Sequence, residues 1–91
     1  MATISYDATY KRWRRYIART KGIDESAVLS TDDMKAKHKF TAAGLRMTAR
    51  ESNTIFEDVD LAPLPKDMDV VTTVGSGARV IWNHIPEANR V

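Results

Sequence analysis

The clearest apolar periodicity in the chain lies near its start. Between Tyr6 and Lys21, the residues Tyr6, Tyr10, Trp13 and Ile17 fall on one narrow arc at ~100° per residue. Lys11, Arg12, Arg14, Arg15 and Arg19 spread over the other side. The spacing predicts an amphipathic helix over 6–21. Ser5 and Asp7 suit its N-cap, because a side-chain oxygen there accepts a first-turn N–H. Arg19 and Lys21 suit the negative end of its dipole, and Gly22 enters the left-handed region without steric cost.

Asp24-Glu25-Ser26 starts a single turn that carries Ala27, Val28 and Leu29 inward. Ser30-Thr31-Asp32-Asp33 then reads as a second helix start, with aspartates at the positive end of the dipole. A second helix is predicted over 32–52. It carries two apolar arcs on nearly opposite sides, Met34, His38, Thr41, Leu45 and Ala49 on one and Ala36, Phe40, Ala43 and Met47 on the other. Lys35, Lys39, Arg46 and Arg50 form a basic stripe between them. Two apolar sides suit a helix that is central in its domain or covered by another chain. Gly44 within it costs up to about 1 kcal/mol against alanine, which points to a packing reason or a break.

Residues 53–69 have no helical period, and Pro63 and Pro65 favour extended geometry. Ile55, Phe56, Val59, Leu61 and Leu64 make the segment too apolar for a free linker, so it reads as a strap laid over a surface. Residues 70–82 read as a β-hairpin. Val70–Val74 and Ala78–Trp82 are β-branched or aromatic arms, and Gly75-Ser76-Gly77 is the turn. Pro86 breaks the tail. The expected fold class is therefore α+β: a small single domain, residues 1–91, with two main helices, an extended strap and a C-terminal β-hairpin. Its expected core is Tyr6, Tyr10, Trp13, Ile17, Val28, Leu29, Met34, Leu45, Phe56, Val71, Val80 and Trp82.

Charge changes this picture more than composition does. The net charge of +2 conceals an asymmetry. Residues 1–50 carry 11 basic and 5 acidic side chains, and residues 51–91 carry 3 basic and 7 acidic ones. Such a chain binds an anion with its front half, or pairs its halves with each other or with a neighbour. The absence of cysteine excludes a disulfide framework and a thiolate metal site. No stretch approaches the ~18 apolar residues of a membrane span, and the basic first twenty residues argue against a secretory signal. The expected location is the cytoplasm, or the inside of a virion or other large assembly.

Candidate chemistry is sparse. His38 lies on an apolar arc and reads as a hydrogen-bonded structural histidine, and His84, after a strand-like run and before Ile85-Pro86, reads as a surface or turn residue. The acidic groups Glu57, Asp58, Asp60, Asp67 and Asp69 lack the regular ladder of oxygens that calcium requires. Gly75-Ser76-Gly77 is too short for a phosphate-binding loop and precedes no expected helix. No catalytic residue, metal ligand, small-molecule cofactor or enzyme activity is expected.

Two readings of function follow. The first is a non-enzymatic interaction or assembly subunit that meets a protein partner, or a second copy of itself, through Phe40, Met47, Ile55, Phe56, Leu61 and Leu64. Small phage structural proteins and small phage proteins that occupy a host enzyme have this make-up. The second is nucleic-acid binding by the basic face of the first helix. Lys11, Arg12, Arg14, Arg15 and Arg19, with Lys35, Lys39, Arg46 and Arg50, would meet a polyanion or an acidic partner, and Tyr16 would stack on a base. The element order also matches a winged helix-turn-helix in outline, with the second helix in the major groove and Gly75-Ser76-Gly77 as wing tip.

Overall fold

The first helix, α1, runs Tyr6–Lys21. The Ser5 hydroxyl accepts the Ala8 N–H at 3.1 Å and fixes its start. Gly22 ends it in the left-handed conformation at φ 66°, and its N–H returns to the last carbonyls of the helix. The computed structural model describes residues 2–62 and 71–91. Among these, two further α-helices follow: α2, Ala42–Ile55, and α3, Val74–His84. Single 3-10 turns occupy Glu25–Ala27, Glu57–Val59 and Glu87–Asn89.

The fold is helical, which overturns the α+β expectation. The described residues contain isolated bridges, Ile4 with Arg90 and Asp33 with Thr73, and no strand or sheet. The predicted hairpin over 70–82 is replaced by α3 across its glycine turn and second arm. Thr73 and Ser76 form a reciprocal capping box, in which the Thr73 hydroxyl accepts the Ser76 N–H and the Ser76 hydroxyl accepts the Thr73 N–H. Behind that cap, Val74, Ala78, Ile81 and Ile85 recur on one face and are all buried. The β-branched residues that suggested strand arms instead supply the buried stripe of a helix. The winged-helix arrangement falls with the hairpin, since Gly75-Ser76-Gly77, its expected wing tip, lies inside α3.

The second helix also begins later than 32–52. Asp33 accepts the backbone N–H groups of Lys35 and Ala36 at 2.8 and 2.7 Å, which closes a local turn. Lys39 then takes a left-handed φ of 60°, and the chain reverses. Thr41 caps a new helix by accepting the Gly44 N–H at 3.0 Å. The break thus lies at Lys39, and Gly44 sits in the first turn of α2. Both apolar arcs are cut by this break: α2 keeps Leu45 and Ala49 of one and Ala43 and Met47 of the other, while Met34, His38, Ala36 and Phe40 precede it. α2 buries Leu45, Thr48, Ala49 and Ser52 on one face. Thr48 and Ser52 satisfy their hydroxyls on the Leu45 and Thr48 carbonyls, so neither burial leaves a donor unpaired.

The described part of the strap is not extended. α2 continues to Ile55, the Glu57–Val59 turn follows, and Asp60 reverses the chain at φ 59°. The Ala62 N–H reaches the His84 carbonyl at 3.0 Å, tying this segment to the end of α3. Of the remaining strap and the first hairpin arm, residues 63–70 lie outside the described residues.

The core gathers all these elements. Trp13, Ile17, Val28, Met34, Leu45, Phe56 and Val71 of the expected core are buried, with Tyr10, Val80 and Trp82 packed against it. Tyr6 is half-buried, while Leu29 is 55% exposed and is not core. Each fully buried aliphatic or Phe side chain contributes roughly 1.5–3 kcal/mol over leaving it in water. α1 packs directly on α3, and the Trp13 indole N–H donates to the Val74 carbonyl at 3.0 Å. The two ends of the chain lie side by side, with the Ile4 N–H on the Asn89 carbonyl and the Val91 N–H on the Ile4 carbonyl. No described helix is long and apolar enough to cross a membrane.

Candidate binding groove between the first two helices

α1 and α2 are joined chiefly through side chains, and a groove runs between them. Arg12, Arg15, Tyr16 and Arg19 stand at i, i+3, i+4 and i+7 of α1 and form one wall. Glu51, Thr54 and Ile55 form the other, around a cavity of about 610 Å³. A second cavity of about 310 Å³ adjoins it and shares Tyr16 and Glu51. Thr20, Lys21, Lys39, Phe40 and Met47 line this one. The floor is apolar and aromatic, and the rim is cationic.

Tyr16 organises the floor. Its ring stacks on Trp13, with centroids 5.7 Å apart and planes at 22°. Burial first, and then the neighbouring Glu51 carboxylate, push its phenol up to about 12. The phenol therefore stays protonated at neutral pH, with the Glu51 carboxylate on the facing wall of the groove. The base-stacking role expected of Tyr16 does not fit a ring already stacked on Trp13.

The cations of α1 differ in what holds them. Arg12 donates to the Ile55 carbonyl at 3.1 Å and to Asp58 at 2.8 Å, and its guanidinium lies 5.1 Å from the Phe56 ring centroid. That contact holds the Asp58 carboxyl below the usual carboxylate range. Arg15 pairs with Glu25 at 3.0 Å, and Arg14 reaches the same carboxylate at 4.0 Å while lying over Tyr10. Lys11 pairs with Asp7 one turn back. The Arg19 side chain has no ion pair or hydrogen bond among the described residues.

The nine basic residues picked from the sequence differ in whether they line a cavity. Arg12, Arg15 and Arg19 line the larger cavity and Lys39 lines the smaller. Lys11, Arg14, Lys35, Arg46 and Arg50 line neither. Lys39 donates to the Ala36 carbonyl, and Lys21 lies 4.3 Å over the Phe40 ring. Of the expected protein-contact residues, Phe40, Phe56 and Leu61 are buried in this chain's own core. The reason is the late start of α2 and the 3-10 turn, which fold these side chains inward. Ile55 is half-buried at the groove, and Met47 remains 57% exposed on its edge. Leu64 lies outside the described residues.

Glu51, Thr20 and Thr54 belong to the groove and were not singled out from sequence, and Lys21, read there only as a helix-end charge, belongs to it too. Glu51 opposes Tyr16 only because the chain reverses between α1 and α2, and no local pattern encodes that.

Each histidine has a hydrogen-bond partner within the chain. His38 is buried with its Nε2 2.9 Å from Asp32. Asp32 is held below the carboxylate range first by the Leu29 N–H and then by His38. The His84 Nδ1 lies 2.7 Å from the Val80 carbonyl, which only accepts, so Nδ1 carries the proton. Among the described residues, no three of His, Asp and Glu converge as metal ligands. Compared with protein-family models, curated proteins and solved structures, the chain gives no match to any of the three.

Proposed function

We propose that this protein is a non-enzymatic interaction subunit, working in the cytoplasm or within a larger assembly, that holds an acidic, amphipathic segment of a partner protein in the α1–α2 groove. The observation that carries this reading is the pairing of an apolar floor with a cationic rim in one continuous groove. Ile55 and Met47 offer apolar contact, and Arg19 offers a guanidinium with no internal partner. A groove of this shape suits a helix that lays its apolar face inward and its carboxylates on the rim. The binding residues are Arg12, Arg15, Arg19, Met47 and Ile55. The internal pairing of Lys11, Arg12, Arg14 and Arg15 with acids weighs against a phosphate track along the first helix.

The test uses a labelled synthetic peptide of about four helical turns, with leucine on one face and glutamate on the other. Fluorescence anisotropy is expected to register binding. Arg19→Glu and Met47→Ser are each expected to weaken it at least tenfold. Both side chains are exposed, so neither change should disturb folding. Equal affinity in the variants, or no binding of the peptide, overturns the groove assignment.

A further inference from the structure

The two walls of the α1–α2 groove carry opposite charge and do not meet. On α2, Met47, Glu51 and Ile55 stand one turn apart along the groove, so an acid lies between two apolar contacts. Glu51 lines both cavities, at the place where they join. Its carboxylate forms no ion pair among the described residues. Yet Arg15 and Arg19 share the larger cavity with it, and Lys21 and Lys39 the smaller. Arg15 is held by Glu25, Lys39 donates to the Ala36 carbonyl, and Lys21 lies over Phe40.

The groove therefore stays open between a cationic wall and an anionic one. The Tyr16 phenol beside Glu51 occupies at most one of the about four acceptor positions that a carboxylate offers. A helix lying in the groove has two edges, one toward each wall, with its apolar face between them. A segment acidic along both edges would set like charge against Glu51, and like charges brought together cost affinity.

We propose, resting on the groove reading above, that Glu51 selects the segment held there: the partner helix carries carboxylates along the edge facing α1 and a lysine or arginine on the edge facing α2, paired with Glu51. Reversing the chain direction of a bound helix swaps its two edges between the walls. Glu51 and the arginines opposite it thus set the direction in which the segment lies, as well as its charge order.

The test compares two labelled peptides of about four helical turns that share one leucine face. One carries glutamate on both edges. The other carries glutamate on one edge and lysine on the other. Fluorescence anisotropy at low salt is expected to show the mixed peptide binding the parent about fivefold more tightly. That difference should shrink as salt rises. Glu51→Gln is expected to remove the preference. Glu51 is exposed and glutamine keeps its shape, so this variant keeps its fold.

Equal affinity of the two peptides for the parent, or tighter binding of the all-acidic one, overturns the proposal and leaves the groove reading standing. So does a preference that persists in Glu51→Gln, which would trace to the greater helicity of the mixed peptide. Binding of neither peptide overturns the groove reading, and the role of Glu51 with it.

Discussion

The indole of Trp13 packs directly against the bare backbone of Gly77. A Cβ at Gly77 would come within 2.9 Å of the ring, closer than real side chains approach. Trp13 has no exposed surface to retreat into. This one contact fixes the distance between α1 and α3 and explains why a glycine stands mid-helix in α3.

Gly77→Ala is therefore expected to destabilise the protein by about 1–3 kcal/mol through overpacking, although alanine is the better helix former. Gly44→Ala is the internal control. Its Cβ would meet Thr41 and Phe40 at ordinary distances of 3.4 and 3.6 Å. That variant is expected to gain up to about 1 kcal/mol from helix propensity. Urea midpoints of the two variants should move in opposite directions.

Thr73→Ala removes the N-cap of α3. Loss of a threonine cap costs about 1 kcal/mol. The helix behind it carries two glycines and two valines, so its intrinsic propensity is poor and the cap matters more. The expected outcome is reduced helical ellipticity at intermediate urea, with partial recovery in Thr73→Ser.

The Arg12–Asp58 contact has a defined pH window. Asp58 has a folded-state pKa below its unfolded value of about 3.9. Its contribution is therefore full above about pH 4 and disappears as pH falls through the folded-state value. Asp58→Asn is expected to lose at most about 1 kcal/mol at neutral pH, because both side chains are partly exposed. Urea midpoints of the variant and the parent should converge as the pH falls below 3.9 or so.

Tyr16 gives the opposite, alkaline signature. Its folded-state value of about 12 lies above the unfolded one of about 10. The stabilisation is full below about pH 10 and is lost as pH rises through about 12. Phenolate absorbance should show a late step that Tyr16→Phe removes. Glu51→Gln is expected to shift that step downward, since the carboxylate no longer opposes ionisation.

α1 was legible from its residues. Its aromatic arc, its Ser5 cap and its Gly22 stop act within a few residues of one another, and the helix occupies the range they set. α3 was not, although the Thr73–Ser76 cap and the spacing of Val74, Ala78, Ile81 and Ile85 were both present in the sequence. Two glycines and a run of β-branched residues give a stronger local signal for a hairpin. In the fold, Gly77 admits Trp13 and the Gly75 N–H finds the Ser30 carbonyl at 2.8 Å, so contacts more than forty residues away in sequence outweigh local propensity.

The same division separates the candidate sites. The sequence by itself determined the first helix, the charge asymmetry and most of the buried apolar residues, because periodicity, capping and burial preference are local properties. Only the tertiary structure decided which arginines keep an internal partner and which do not. It turned Phe40, Phe56 and Leu61 inward and set Tyr16 against Glu51. Each of these is a distance between residues far apart in sequence, fixed by the packing of α1 on α3 and the reversal of the chain at Lys39.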